Sequence, residues 1–216
     1  MRKVVAINAS PRTNWNTAAL VKEAAEGART EGAEVESFDL YKLEKFTGCI
    51  SCFGCKLAPN EGKCICRDGL APVLEAIRNA DGLILGTPNY LGDVSAGFRA
   101  LYERLIFQSL TYQTEKRSYN ERMIPVLFLM TSNSPREYYL PIGYQKMIKG
   151  YQKNLESFVG NTKVLIAGNT LQVKDYSRFH WTMFDAKAKQ EHHEKEFPKE
   201  KQQAYALGAE MVSRPW

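Results

Sequence analysis

The sequence predicts a three-layer α/β fold, a parallel sheet with helices on both faces. Strand-sized apolar runs alternate with stretches of helical period along the whole chain. The longest apolar runs, Gly82–Gly86 and Val126–Met130, suit strands buried on both faces. The first strand ends in a polar loop that opens directly into a helix, the junction typical of parallel α/β units.

Each element follows from its pattern. Lys3–Asn8 reads as a buried strand. A helix near Asn16–Thr30 aligns Thr17, Leu20, Val21, Ala24, Ala25 and Ala28 on one face. Glu34–Phe38 is a short strand, and Asp39–Asp68 a long excursion holding the cysteines. Leu70, Val73, Leu74 and Ile77 stripe a short helix. Gly82–Thr87 is the third strand, followed by a helix over Val94–Ile106 with Val94, Phe98, Leu101 and Leu105 inward. Ile124–Thr131 is the fourth strand. Tyr144, Met147, Ile148, Tyr151, Leu155 and Phe158 mark a long helix, and Lys163–Ala167 the fifth strand. The last helix starts near Pro198, a favoured first-turn residue, with Ala204, Leu207, Met211 and Val212 on one face. Five parallel strands suggest the flavodoxin-like order 2-1-3-4-5, in one domain over 1–216. Two excursions interrupt it, a Cys-rich one at about 45–68 and an aromatic one at about 171–197.

Composition narrows the function. The chain has 216 residues, 44% hydrophobic and 25% charged, with a net charge of +5. Basic residues are interleaved with acids, so nucleic acid is not an expected partner. No apolar run is long enough to span a membrane, and no membrane partner is expected. A strand under way by Val4 leaves no room for a secretory leader, and a cytoplasmic location is expected. All five cysteines lie between Cys49 and Cys66; an odd, clustered set argues for metal or redox chemistry over a disulfide scaffold.

In this strand order, ligands sit at the carboxyl ends of the first, third and fourth strands. The first loop, Ala9-Ser10-Pro11-Arg12-Thr13-Asn14-Trp15-Asn16-Thr17, offers hydroxyl, amide and guanidinium donors before a helix N-terminus. That geometry binds a phosphate. The loop is neither Gly-x-Gly-x-x-Gly nor a P-loop, and has no Cys nucleophile, which leaves a permanently bound monophosphate. After the third strand, Pro88, Asn89, Tyr90, Leu91, Gly92 and Asp93 form a stiff, partly aromatic turn. After the fourth come Thr131, Ser132 and Asn133. Together the loops suit a phosphorylated planar ligand, and FMN fits that description.

These residues resemble a known family. Asn8-Ala9-Ser10-Pro11-Arg12 with Asn16-Thr17 is similar to the phosphate loop of the NADPH-dependent FMN reductases. Thr87-Pro88-Asn89-Tyr90 with Gly92, Val94-Ser95 and Arg104 resembles their second flavin loop and following helix. Gly48-Cys49-x-x-Cys52-Phe53-Gly54-Cys55, then Gly62-Lys63-Cys64 and Asp68, is similar to the cysteine segment of the iron–sulfur flavoprotein branch, as is the tail from Trp181 to Lys199. The resemblance implies that Ser10, Arg12, Asn14, Asn16, Thr17 and the Ala18 backbone hold the FMN phosphate. It implies that Pro88–Asp93 line the ring and that Thr131–Asn133 cover its other edge. Trp15 departs from it, standing where relatives carry a small residue.

Cys49-x2-Cys52-x2-Cys55 can converge on an iron–sulfur cluster, with Cys64 as fourth ligand across eight residues and Cys66 as an extra thiol. Three readings stay open: a [4Fe–4S] cluster, free or disulfide-cycling thiols beside the flavin, or structural zinc. The aromatic excursion, with Tyr176, Phe179, Trp181, Phe184 and Phe197, reads as a strap on its own domain or as an arm on another subunit. His180, His192 and His193 read as solvated surface, with no role.

The function expected is an FMN-dependent oxidoreductase taking electrons from NAD(P)H or a ferredoxin-like donor, with no catalytic side chain in the strict sense. A homodimer or homotetramer is expected from the resemblance and the aromatic tail. The alternatives are an electron carrier without turnover of its own and a zinc-stabilised binding module without flavin.

Overall fold

The computed structural model describes residues Met1–Trp216. Five parallel strands, β1 (Lys3–Asn8), β2 (Glu34–Asp39), β3 (Gly82–Tyr90), β5 (Val126–Thr131) and β6 (Thr162–Ala167), lie in the order β2-β1-β3-β5-β6. This is the expected order with one short strand added: β4 (Asp93–Val94) pairs antiparallel with the end of β3. The register pairs Val4 with Gly82 and Asn8 with Gly86, so β1 and β3 end together. Pro88 of β3 reaches Thr131 of β5. Three loops therefore open on the same edge.

The central strands are apolar on both faces because helices cover both. Helices α1 (Asn16–Thr30) and α6 (Phe197–Ser213) cover one face, packing Leu20, Ala24, Ala28, Ala204 and Met211 against Val4, Ala6, Ile84 and Leu129. Helices α2 (Ala71–Asn79), α3 (Ala96–Ser109) and α4 (Tyr144–Phe158) cover the other, with Phe98, Leu101 and Leu155 against Val5, Leu85 and Phe128. Glycines set the first layer's spacing. A Cβ on Gly27 would collide with Tyr205 O, and one on Gly208 with Ala24 O, so α1 and α6 touch backbone to backbone. Gly86 likewise lets Val21 and Thr17 of α1 sit directly on β3.

Three local expectations are corrected. First, β3 continues through Tyr90, and Leu91 and Gly92 turn it into β4 with φ of 54° and 87°. A two-residue turn with both φ positive matches strand twist, and Gly92 tolerates it at no steric cost. Second, α3 starts at Ala96, because Val94 pairs in β4 and the Ser95 side chain caps the helix, accepting from Phe98 N at 3.3 Å. Third, the aromatic excursion holds a helix, α5 (Ala186–Lys195), capped by Asp185 accepting from Ala188 N at 3.0 Å. Lys189 is the buried residue of α5, so no apolar stripe announced it. His192 and His193 are half-buried rather than solvated, and the His193 ring stacks on Phe197 at 5.0 Å.

Candidate functional site

The loop after β1 is shaped by its own side chains. Ser10 N donates to Asn8 Oδ1 at 3.1 Å, and Arg12 N to Ser10 Oγ at 3.1 Å. Asn8 Nδ2 anchors the strand end to Asp39 at 2.8 Å. Helix α1 then begins without a side-chain cap at Trp15. The backbone N–H groups of Asn16, Thr17 and Ala18 have no protein acceptor, and no acidic side chain stands in the first turn. Free N–H groups and the positive helix end make this a candidate anion site.

The structure gathers Ser10, Arg12, Asn16, Thr17 and Ala18 here, but it divides their tasks differently from the sequence reading. Asn16 Nδ2 donates to Leu171 O at 2.7 Å, and Trp15 Nε1 to the same carbonyl at 3.1 Å. Arg12 donates to Gln172 O while its guanidinium stays exposed. Thr17 Oγ1 meets Thr131 Oγ1 at 2.7 Å, joining the first loop to the third. Asn16 and Thr17 thus fix the scaffold through their side chains and face the anion site with their backbones. Asn14 is exposed at the rim.

In the second loop, Asn89 Oδ1 accepts from Gly92 N at 3.0 Å and closes the turn. Asn89 Nδ2 is buried without a partner, and so is the hydroxyl of Tyr139. Tyr139 lies beside Ser132 and Asn89, and burial pushes its hydroxyl pKa up. Orphaned buried polar atoms cost free energy unless a ligand answers them. Pro88 is buried, whereas Tyr90 and Leu91 stand exposed at the hairpin tip. Asp93 turns toward α4. Its carboxylate accepts from Tyr151 Oη at 2.7 Å, and the same hydroxyl accepts from Arg99 at 3.0 Å. Burial and Asp93 push Tyr151 up to about 12. Asp93 therefore holds the hairpin in place.

The third loop is clamped from outside. Ser132 N donates to Ala167 O at 2.9 Å, and its carbonyl accepts from the N–H and hydroxyl of Thr170. Lys189 of α5 is 5% exposed and has no carboxylate partner. Its Nζ donates to Asn133 O at 2.8 Å and to Asn133 Oδ1 at 2.5 Å. Burial pushes its pKa down to about 8. Sequence reasoning missed Lys189 and Tyr139; one sits in a charged run, the other in an irregular segment, and neither carries a motif.

The cysteine segment forms a second site. All five cysteines line one recess, with Arg104, Phe107 and Gln108 of α3 completing its wall. No three of the chain's Cys, His, Asp and Glu side chains are arranged to share a single metal ion. Cys64 N donates to Gln108 Oε1 at 3.0 Å, and Lys56 crosses to the carbonyls of Phe107, Gln108 and Leu110 at the end of α3. Burial raises the thiol pKa of Cys55, opposed by Lys56, and that of Cys66, opposed by Arg104.

The family model of the NADPH-dependent FMN reductases matches residues 2–138. The chain belongs to the NADPH-dependent FMN reductase family. An iron–sulfur flavoprotein of Methanocaldococcus jannaschii is 40% identical over 102 residues, 47% of this chain and 51% of that protein. One from Archaeoglobus fulgidus is 34% identical over 104 residues, 47% of this chain and 48% of that protein. The chain spans about half the length of the curated relatives it matches. Among solved structures, an NAD(P)H:quinone oxidoreductase from Methanothermobacter marburgensis superposes with a TM-score of 0.70 at 15% identity, covering 100% of this chain and 99% of that one. An FMN-dependent NADH-azoreductase from Bacillus anthracis, in complex with FMN, gives 0.66 at 12% identity, covering 98% and 100%. At these identities the likeness is one of fold, and the fold is the flavodoxin-like one expected. This FMN reductase family chain has no helix long and apolar enough to cross a membrane.

Proposed function

We propose that this chain is an FMN-dependent NAD(P)H oxidoreductase. The reading is carried by the free N–H groups of Asn16, Thr17 and Ala18, which open on the edge where the loops after β1, β3 and β5 meet. The residues fit FMN: an uncapped helix N-terminus suits its phosphate, and the orphaned Asn89 amide and Tyr139 hydroxyl suit a polar ligand beside the second and third loops. When bound, FMN supplies the redox chemistry, taking a hydride from a nicotinamide and releasing the electrons to an acceptor.

The chain's residues bind and orient. Arg12 adds a charge-assisted donor at the phosphate, with Ser10, Asn14 and the Asn16–Ala18 backbone around it. Pro88–Gly92 line the ring on one side and Thr131–Asn133 on the other, with Asp93 and Lys189 holding those loops. Hydride transfer needs no protein acid or base, so no side chain is assigned that role.

The cysteine recess supports a further step, electron exchange with a [4Fe–4S] cluster held by Cys49, Cys52, Cys55 and Cys64. Five thiols line one recess with no three of them placed to share a single ion, which favours a larger anionic group. This feature also favours the second reading, an electron carrier served by a ferredoxin-like donor. The exposed Phe179, Trp181 and Met183 of the arm suit a homodimer or homotetramer.

The test is an anaerobic absorbance spectrum of fresh protein with FMN, iron and zinc assayed together, followed by NADPH and NADH oxidation. Flavin bands with NAD(P)H turnover are expected, and Cys64→Ser should lose iron. Flavin without turnover, but with rapid reduction by a ferredoxin-like donor, selects the carrier. A colourless protein overturns both.

A further inference from the structure

Arg104 is the largest fully buried side chain of the protein, at 2% exposure, and it forms part of the wall of the cysteine recess. Such a cation is costly to bury and persists only where its partners answer it. Its partners answer most of it. One terminal nitrogen donates to Asp68 Oδ1 at 2.6 Å, and the other to Cys66 O at 3.0 Å. The third nitrogen, Nε, is buried and has no acceptor. The guanidinium also lies beside the Cys64 thiol. Burial alone would raise Asp68, yet Arg104 and the N–H groups of Thr47 and Leu70 hold its carboxyl below the usual range, so it stays a carboxylate.

We infer that Arg104 is a positioning residue for the cysteine centre: its unpartnered Nε–H and buried charge face an anionic sulfur ligand set and raise the reduction potential of the cluster held there. This rests on the cluster reading above. The physical reason is charge. Four thiolates and their cluster are net negative, and one further electron makes them more so. A fixed cation at the wall stabilises the reduced form more than the oxidised one. A hydrogen bond to sulfur acts in the same direction. Asp68 orients the guanidinium and offsets part of its field. The two residues therefore act in opposite senses, which a purely structural staple would not do.

Wild type, R104Q and D68N are reconstituted anaerobically with ferrous iron and sulfide, and the cluster potential is measured by titration followed by electron paramagnetic resonance. R104Q is expected to shift the one-electron equilibrium tenfold or more toward the oxidised form, a fall of about 59 mV or more. D68N is expected to keep its iron and shift the equilibrium the opposite way. Should R104Q fail to fold, D68N still decides: a raised potential supports the inference, and an unchanged one overturns it. Potentials that do not move, or move together, overturn the role of Arg104 alone. A wild type that takes up no iron overturns the cluster reading and this inference with it.

Discussion

Lys189 gives the sharpest test of how the third loop is held. The perturbation is Lys189→Met, which keeps the apolar stem and removes the ammonium. Burial lowers the folded pKa from 10.5 to about 8. Each pH unit between folded and unfolded values is worth about 1.4 kcal/mol, so keeping the buried ammonium at neutral pH costs about 3 kcal/mol. Between these values the unfolded chain holds the proton and the folded chain has lost it. The unfolded state then binds more protons, so stability rises with pH across that window, and the cost stands in full below it. The methionine variant lacks the group and shares every other one, so the difference between the two chains isolates Lys189. Urea unfolding followed by far-UV circular dichroism at about pH 7.5, 8.5 and 9.5 should show wild type gaining about 2 kcal/mol on the variant. Parallel curves would refute the reasoning. They would mean that the two acceptors of Asn133 keep the ammonium charged at its ordinary pKa, and that the clamp outweighs the burial.

Three other perturbations test the scaffold. Burial pushes Glu200 up to about 7, with Arg136 pulling down and Glu196 pushing up, and its Oε2 is buried without a partner. The folded carboxyl keeps its proton where the unfolded one has lost it, so this stabilisation is present below about pH 4.5 and lost as pH rises through about 7, roughly 3 kcal/mol in all. Glu200→Gln should remove that slope, read as the difference in unfolding free energy between mildly acidic and neutral buffer; an unchanged slope sinks the assignment. Gly208→Ala should cost about 1–3 kcal/mol, because its Cβ would meet the Ala24 carbonyl and α1 and α6 would have to part. Gly150→Ala, at an exposed position of α4, meets nothing and should stabilise by about 0.5–1 kcal/mol in the same denaturation assay.

The strand cores were legible because their apolar runs are strand-sized, but the Thr87-Pro88 boundary misplaced the end of β3, which runs on to Tyr90. The uncapped start of α1 beside a polar loop was legible because that loop runs straight into an apolar-striped helix. The helix faces were legible for the same reason: Leu20, Ala24 and Ala28 are buried where their period puts them. The β3–β4 hairpin was not legible. Its turn puts Leu91 at a positive φ, unusual for a non-glycine residue, and Asp93 ties the hairpin to Tyr151, far along the chain. Helix α5 was hidden because it is polar all round.

The sequence alone therefore determined the layer order, the edge on which the ligand loops open and the clustering of thiols, since each follows from local period and chain connectivity. Tertiary structure decided which donors remain free. Asn16 and Thr17 spend their side chains on Leu171 and Thr131, leaving their backbone N–H groups without a protein acceptor. It also brought two buried cations to the two sites, Lys189 to Asn133 and Arg104 to the cysteine recess. A buried charge is set by what surrounds it, and those surroundings come from segments distant in sequence.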